Sequence, residues 1–570
     1  MEQPELEREL HDLVRRVSDI ERHLGLARQG QALPEAVLPQ PTLPKVETSA
    51  LLPALGRLLL GLAGAYLLRA LTEWGTLGAT AGVGVGIVYA VSWLIWAARL
   101  PASRRVEAAL YSLTSALVIA PLLFEATHRF HAVSTWSAGA LLVLFNVSGL
   151  AASWRKDLLV VATIATLTGV GTASALLVAT HDALPFTFVL LAIAAAVEAS
   201  ACLEHWLSER WLAATAADLA VLLATWLVTN ERGLPAAYAP IPHAWLLMAQ
   251  MALLAVYLSS TIVRTLLRGF TFTGFETAQC AMAFLIGVGG GVRLSNLDRG
   301  VEGAMGALTL ACAAACYVVS FVRLDRQGAR GRNFYTYSTF GILLALAGTR
   351  ILLSGAAAWM AWTALAIACI AAGGWFGRLT LQVHGAIFLA LAVFSSGAVK
   401  QAAALLLGSA AWGEQPLATI GGAGMAALIC YLVAVRYSAG APGEWTFQTF
   451  RLGLVGMLAF LLAGLLAGAL TAVYHAAFGA EASHAYCATM RTGVVTLAAM
   501  LLAWVGSRWN NMELSRLIYP AMLAGAYRLL VEDLHQDRKA ALFLSLLLFG
   551  GALMALPRLR KTPQGSVQKA

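Results

Sequence analysis

FETAQCAMAFLIGVGGGVRLSNLDRGVEGAMGALTLACAAACYVVSFVRLDRQGARGR, residues 275–332, decides how this chain is read. An apolar segment, Thr277 to Val292, ends in Gly289, Gly290 and Gly291 and is followed by Arg293 and a short polar turn. A second apolar segment runs from Gly303 to Val322, and Arg323, Arg326, Arg330 and Arg332 close it. Each segment is long enough to cross about 30 Å of hydrocarbon at about 1.5 Å per helical residue. The stretch reads as a membrane helical hairpin, and most of the chain reads as that hairpin repeated.

The composition agrees. Hydrophobic residues make up 59% of the 570 and charged residues 12%, against about 25% charged in an ordinary soluble domain. Runs of 18 or more apolar residues recur from residue 51 to residue 556. They are rich in Gly, Ala and Leu and lack polar–apolar alternation, so the spans are helices and not barrel strands, since a helix satisfies its own backbone in lipid. The expected fold class is an all-α integral membrane protein with about 18 spans. They fall at 51–71, 76–98, 106–126, 136–153, 158–180, 186–204, 211–229, 244–266, 275–294, 303–322, 333–353, 356–376, 380–399, 417–435, 450–474, 488–506, 513–531 and 540–556.

Lysine and arginine in the short loops set the orientation. With a cytoplasmic N-terminus, the inner loops hold about seventeen basic residues, Arg210, Arg264 and Arg268 among them, against about ten outside. An even span count returns the basic tail, residues 557–570, to the cytoplasm. The formal charge of +9 is then explained by loops facing anionic lipid headgroups. Nucleic-acid binding is not called for, because the basic residues are dispersed. The seven cysteines form no paired metal spacing and read as small core residues. No cofactor is implied.

Residues 1–28 carry Leu6, Leu10, Leu13, Val17, Ile20 and Leu24 at alternating spacings of four and three. This is a short a/d seam, expected to pair through residues 6–24 with a second copy or another protein, or else to lie on the membrane surface; charges of both signs beside the seam favour pairing. A linker, residues 29–50, holds Pro34, Pro39, Pro41 and Pro44 and tethers that helix to the polytopic part, residues 51–556. The first span is expected to stay as an anchor, since a charged helix and a linker precede it. Beyond residue 50 the loops are short, so a site must be built from helix ends, turns and the bundle interior.

Outward-running spans end at or near Arg69, Arg129, His181, Arg232, Arg293, Arg350, Lys400, His475 and Arg528. The regular spacing suggests duplication of a two-helix unit. Cations are favoured at helix C-termini and snorkel to headgroups; the sharper reading is that Arg293, Arg350, Lys400 and Arg491 mark an outward-facing anionic site. Within the membrane, Glu198 and Asp218 fall on adjacent spans at similar depth, each about 10 Å from the intervening turn. They read as a proton- or cation-coupling pair, or as interface residues bonded to helix ends or to an arginine such as Arg57. Glu125, Glu276, His384 and His475 read as interfacial, and neither a catalytic constellation nor a metal set stands out.

The segment LGRLLLGLAGAYLLRALTEWG at 55–75 and the closing unit YRLLVEDLHQDRKAALFLSLLLFGGALMALPRLRK at 527–561, with the N-terminal coiled coil and proline-rich linker, resemble a domain-of-unknown-function family of long polytopic bacterial membrane proteins. The resemblance covers about a fifth of the chain. It implies a many-helix fold in the bacterial cytoplasmic membrane and brings no activity, catalytic residue or ligand with it. Three functions follow as expectations. The first is transport, flipping or binding of an anionic lipid or cell-envelope component. The second is a scaffold acting through the coiled coil. The third is a transferase on lipid-linked substrates, for which Glu73 near Trp74 is the candidate acid and the short outer loops are an argument against.

Overall fold

The computed structural model describes residues 48–559 apart from 75, 77, 102–103, 155–156, 204–207, 296–299, 325–330, 409–416, 438–444, 480–482, 510 and 536–538. The heptad seam at 6–24, the linker up to residue 47 and the basic tail from residue 560 lie outside the described residues. Nineteen α-helices make up the described chain. The first nine are α1 (Thr48–Glu73), α2 (Ala79–Arg99), α3 (Arg105–His128), α4 (Thr135–Trp154), α5 (Leu159–Thr180), α6 (Ala183–Cys202), α7 (Arg210–Thr229), α8 (His243–Ile262) and α9 (Gly274–Ser295). The next five are α10 (Gly300–Val318), α11 (Arg332–Leu352), α12 (Ala356–Trp375), α13 (Leu379–Ser395) and α14 (Ala398–Leu407). The last five are α15 (Leu417–Tyr437), α16 (Trp445–Phe478), α17 (His484–Arg508), α18 (Met512–Val531) and α19 (Lys539–Leu559).

Fourteen of these, α2 to α10, α12, α15 to α17 and α19, are long and apolar enough to cross a membrane. The predicted span 380–399 is divided: α13 and α14 meet at a 60° bend and bring the total to 15 if the pair is one span. The bend follows from Gly397, whose φ of +81° is left-handed backbone that only glycine adopts without steric penalty. The predicted spans 51–71, 333–353 and 513–531 form α1, α11 and α18, helices of 26, 21 and 20 residues outside the set of fourteen. Charged residues dilute all three: Arg57 and Arg69 in α1, Arg332 and Arg350 in α11, Glu513, Arg516 and Arg528 in α18.

The helices turn their apolar side chains outward. On α7, Asp218 is 6% exposed and its neighbour Leu219 is 65% exposed. A soluble bundle would reverse that order, whereas lipid accepts leucine and rejects a carboxylate. With lipid as apolar as leucine, the helices hold together through close packing and interhelical hydrogen bonds. On α12 and α13 the packing is backbone to backbone. A Cβ on Gly373 would come within 2.8 Å of the Gln382 nitrogen, and one on Gly385 within 2.8 Å of the Ala366 carbonyl oxygen.

The chain divides into two compact units, Met1–Ile119 and Ala120–Ala570. In the first, the Tyr89 hydroxyl donates to the Gly61 carbonyl at 2.9 Å and Ser115 Oγ to the Ala90 carbonyl at 2.6 Å, tying α2 to α1 and α3 to α2. Arg57 pairs with Glu107 at 3.3 Å and bonds the Tyr111 hydroxyl. In the second unit, helices adjacent in sequence pack as hairpins, most extensively α10 with α11 and α12 with α13. An apolar core in it runs from α10 to α16 through residues such as Ile370, Leu389, Ala402, Ile420 and Leu461. Four further helices, α6 to α9, pack around a polar interior.

Candidate functional site

The polar interior of α6–α9 begins at one helix end. Thr273, Gly274, Phe275 and Glu276 form a capping box at the start of α9: the Glu276 N–H donates to Thr273 Oγ1 at 3.2 Å and the Thr273 N–H to Glu276 Oε2 at 2.9 Å. This fixes the Glu276 carboxylate at the helix start and leaves Oε1 pointing into the bundle. Oε1 accepts from Arg264 Nε at 2.5 Å and from Arg210 Nη1 at 3.1 Å. Arg264 sits in a π turn, Val263–Leu267, that extends α8. From there its Nη1 reaches the Ala201 carbonyl, in the last turn of α6, at 2.6 Å. Arg210 opens α7 and donates through Nε and Nη2 to the two oxygens of Glu198 at 2.9 and 2.8 Å. Ser260 Oγ donates to the same carboxylate at 2.5 Å. The two guanidiniums also lie over rings, Arg210 4.6 Å from the centre of Phe275 and Arg264 5.1 Å from that of Phe270.

Two acids and two arginines thus form one buried layer contributed by all four helices. Charge is balanced within it, and each member is at most 4% exposed. Hydrogen-bonded geometry of this quality is what offsets the desolvation of buried ions.

A second layer lies deeper. Asp218 stands eight residues into α7, about 12 Å along the axis, and Glu198 four residues from the end of α6, about 6 Å. The two acids are therefore not at similar depth, because α6 stops at Cys202 while α7 starts at Arg210. Nor is Arg57 their partner, since it pairs with Glu107. Asp218 receives Gln279 Nε2 from α9 at 3.0 and 2.9 Å on its two oxygens. Tyr257 on α8 is 2% exposed, its hydroxyl makes no hydrogen bond, and it lies in the fields of both Asp218 and Glu198. Two turns further along, Gln250 Nε2 of α8 donates to Thr225 Oγ1 of α7 at 2.9 Å, and Gln250 Oε1 is buried without a partner. That bond sets the antiparallel register: seven residues back on α7 and seven on along α8 bring Asp218 level with Tyr257.

The predicted basic residues fare differently. Arg293 is exposed near the end of α9 and Lys400 in the first turn of α14. Arg350 is exposed and donates to the Leu353 carbonyl at 3.4 Å, as a cation at its own helix end does. Arg491 is half-buried, its guanidinium against Gly408 at the end of α14. Arg528 reaches the same helix end, bonding the Leu406 carbonyl and pairing with Glu532. Lys400 and Gly408 are eight residues apart, about 12 Å along α14, too far for Lys400 and Arg491 to hold one small anion.

Glu276, read as interfacial, stands in the first turn of α9 and is 1% exposed at the centre of the ionic layer. Its signal in the sequence is the T-x-x-E pattern at 273–276, which marks a helix start. His384 is likewise buried, its Nδ1 3.0 Å from the Tyr317 hydroxyl. Among the described residues no group of three or more His, Cys, Asp and Glu is arranged to hold a metal ion.

No protein-family model matches the chain, and no curated protein or solved structure is similar to it. Fold and site define its class directly: an all-helical, many-span membrane protein with ionisable groups buried inside one four-helix group.

Proposed function

We propose that this protein transports, flips or binds an anionic lipid or cell-envelope component in the bacterial cytoplasmic membrane. The observation that supports it is the polar interior of α6–α9, with five acidic and basic side chains, Glu198, Arg210, Asp218, Arg264 and Glu276, enclosed by helices whose outer faces are apolar. Ionisable groups inside membrane helices are costly and in general mark substrate or ion pathways. In this reading α1, α11, α18 and the bent pair also cross, giving 18 spans with both termini cytoplasmic, and the ionic layer closes the cytoplasmic end of α6–α9. Arg293, Arg350, Lys400 and Arg491 then face outward, and Arg491 with Arg528 is the best-built basic point among them. The resemblance of the chain ends to polytopic bacterial proteins supports the choice of membrane.

The test is native mass spectrometry of protein extracted gently from its own membrane. An anionic lipid or glycan retained by the wild type, and lost from Arg491→Ala or from Arg350→Ala with Lys400→Ala, is the expected result. Retention of protein partners alone, identical in all three, would sink the proposal. It would favour the second reading, a scaffold recruited through the heptad seam at 6–24, in which deleting residues 1–28 abolishes partner binding.

A further inference from the structure

We propose that Asp218 is a proton-binding site: in the conformation described here it carries a proton, and it is the residue through which proton movement acts on this bundle. The coupling role rests on the transport reading above; the protonation does not.

The argument starts from charge. The buried ionisable groups that share the interior of α6–α9 with Asp218 are Glu198 on α6, Arg210 on its own helix, Tyr257 and Arg264 on α8 and its π turn, and Glu276 and Cys280 on α9. Arg210 and Arg264 are taken up by Glu198 and Glu276, at 2.5 to 3.1 Å. No cation among the described residues is left for Asp218. Its hydrogen-bond partner is the neutral amide of Gln279, which orients the carboxyl group and cancels no charge. An enclosed carboxylate in that position is relieved by taking up a cation.

The surrounding donors identify which cation. A sodium ion needs several oxygens converging on one point, but Gln279 presents a donor, its Nε2, to both Asp218 oxygens. A proton needs only one acceptor. One oxygen of the Asp218 carboxylate is that acceptor, with no ring of ligands around it, while the Tyr257 hydroxyl, 2% exposed, makes no hydrogen bond in this conformation. Protonation forms one O–H bond on an Asp218 oxygen from a proton delivered by water, and release returns that proton with no other bond changed. Glu198 is held by three donated hydrogen bonds, two of them from the Arg210 guanidinium. Gln250 and Thr225, two turns on, continue the polar line along the α7–α8 seam, and the free Gln250 Oε1 is its next acceptor.

The experiment is infrared spectroscopy of the purified full chain in lipid nanodiscs, following the C=O stretch of protonated carboxyl groups across a pH titration. The wild type should show such a band at neutral pH, Asp218→Asn should lose it, Glu198→Gln should keep it, and Tyr257→Phe should keep it with a displaced titration midpoint. If Asp218→Asn does not fold, Asp218→Glu serves instead and should move the band. A band unchanged in Asp218→Asn, or absent from the wild type at neutral pH, overturns the proposal. So does stabilisation of the wild type by sodium over choline chloride that Asp218→Asn abolishes, which would make the site a sodium site. A band that behaves as expected in a protein that proves to be a scaffold would refute the transport reading and leave the proton site standing.

Discussion

Arg210 and Glu198 are joined by two parallel hydrogen bonds, Nε to Oε1 at 2.9 Å and Nη2 to Oε2 at 2.8 Å, with both side chains 4% exposed. Twelve residues separate them in the chain, across the turn from α6 to α7. The same guanidinium reaches Glu276, 66 residues on, through its remaining arm at 3.1 Å. One side chain therefore fastens three helices. Replacing Arg210 by Gln leaves two buried carboxylates short of a partner, and removing one member of a buried pair costs about 3–5 kcal/mol. Thermal unfolding in nanodiscs should show that loss. Arg210→Lys should recover only part of it, because an ammonium cannot supply the planar fork.

Neutralising both partners should be milder than neutralising one. In Glu198→Gln with Arg210→Gln the side-chain amides can bond each other, and no orphan charge remains on that side of the layer. The double variant should therefore unfold at a higher temperature than Arg210→Gln alone, a sign of coupling that independent sites do not show. Equal or lower stability in the double variant would mean that the pair is not the unit that holds α6 to α7.

The Thr273–Glu276 capping box gives a smaller, sharper effect. Thr273 Oγ1 accepts the Glu276 N–H at 3.2 Å, so Thr273→Ala removes a cap worth about 0.5–2 kcal/mol and keeps the Thr273 N–H on the carboxylate that both arginines share. Thr273→Ser keeps the oxygen and should behave as wild type in the same unfolding measurement.

Which parts of this were legible in the sequence follows from the range of each interaction. The helices were, because an apolar run of 18 residues is a local property. Glu198 and Asp218 were also found, since a carboxylate inside such a run stands out against its neighbours. Their partners were not. Arg210 and Arg264 look like loop residues counted toward the inner face, and nothing local shows that both fold back under the helix ends. The π turn at Val263–Leu267 that redirects Arg264 leaves no mark in an apolar pattern. Registers between α7, α8 and α9 are set by contacts 25 to 66 residues apart, which one sequence does not display. The bend at Ser396 and Gly397 was partly readable, as a serine–glycine step inside a single apolar run. A strongly apolar flank hid it.

Gly385 makes the packing of α12 on α13 testable away from any charge. A Cβ there would sit 2.5 Å from Ile370 Cγ1 and 2.8 Å from the Ala366 carbonyl oxygen. Ile370 can turn aside, but the carbonyl belongs to the facing helix backbone and cannot. Gly385→Ala should force the helices apart and cost about 1–3 kcal/mol, the usual penalty for overpacking, whereas Gly421→Ala, with open space around its Cα, should be nearly neutral. Equal unfolding temperatures for the two variants would show that α12 and α13 are not in backbone contact.

Gly408 links backbone geometry to the basic point at the end of α14. Its φ is +74°, a left-handed conformation that costs a residue with a side chain about 1–2 kcal/mol, and the Arg491 guanidinium occupies the space a Cβ would take. Gly408→Ala should therefore act twice, straining the end of α14 and expelling Arg491 from it. Arg528, which bonds the Leu406 carbonyl two residues before Gly408, would remain. If Arg491 helps to hold an anionic ligand, Gly408→Ala should reproduce the ligand loss of Arg491→Ala in native mass spectrometry although it leaves every basic residue in the chain. If Arg491 only caps the helix, both variants should keep whatever the wild type binds and differ from it in stability alone. The comparison separates a recognition residue from a capping residue at the one position where the two roles predict opposite results.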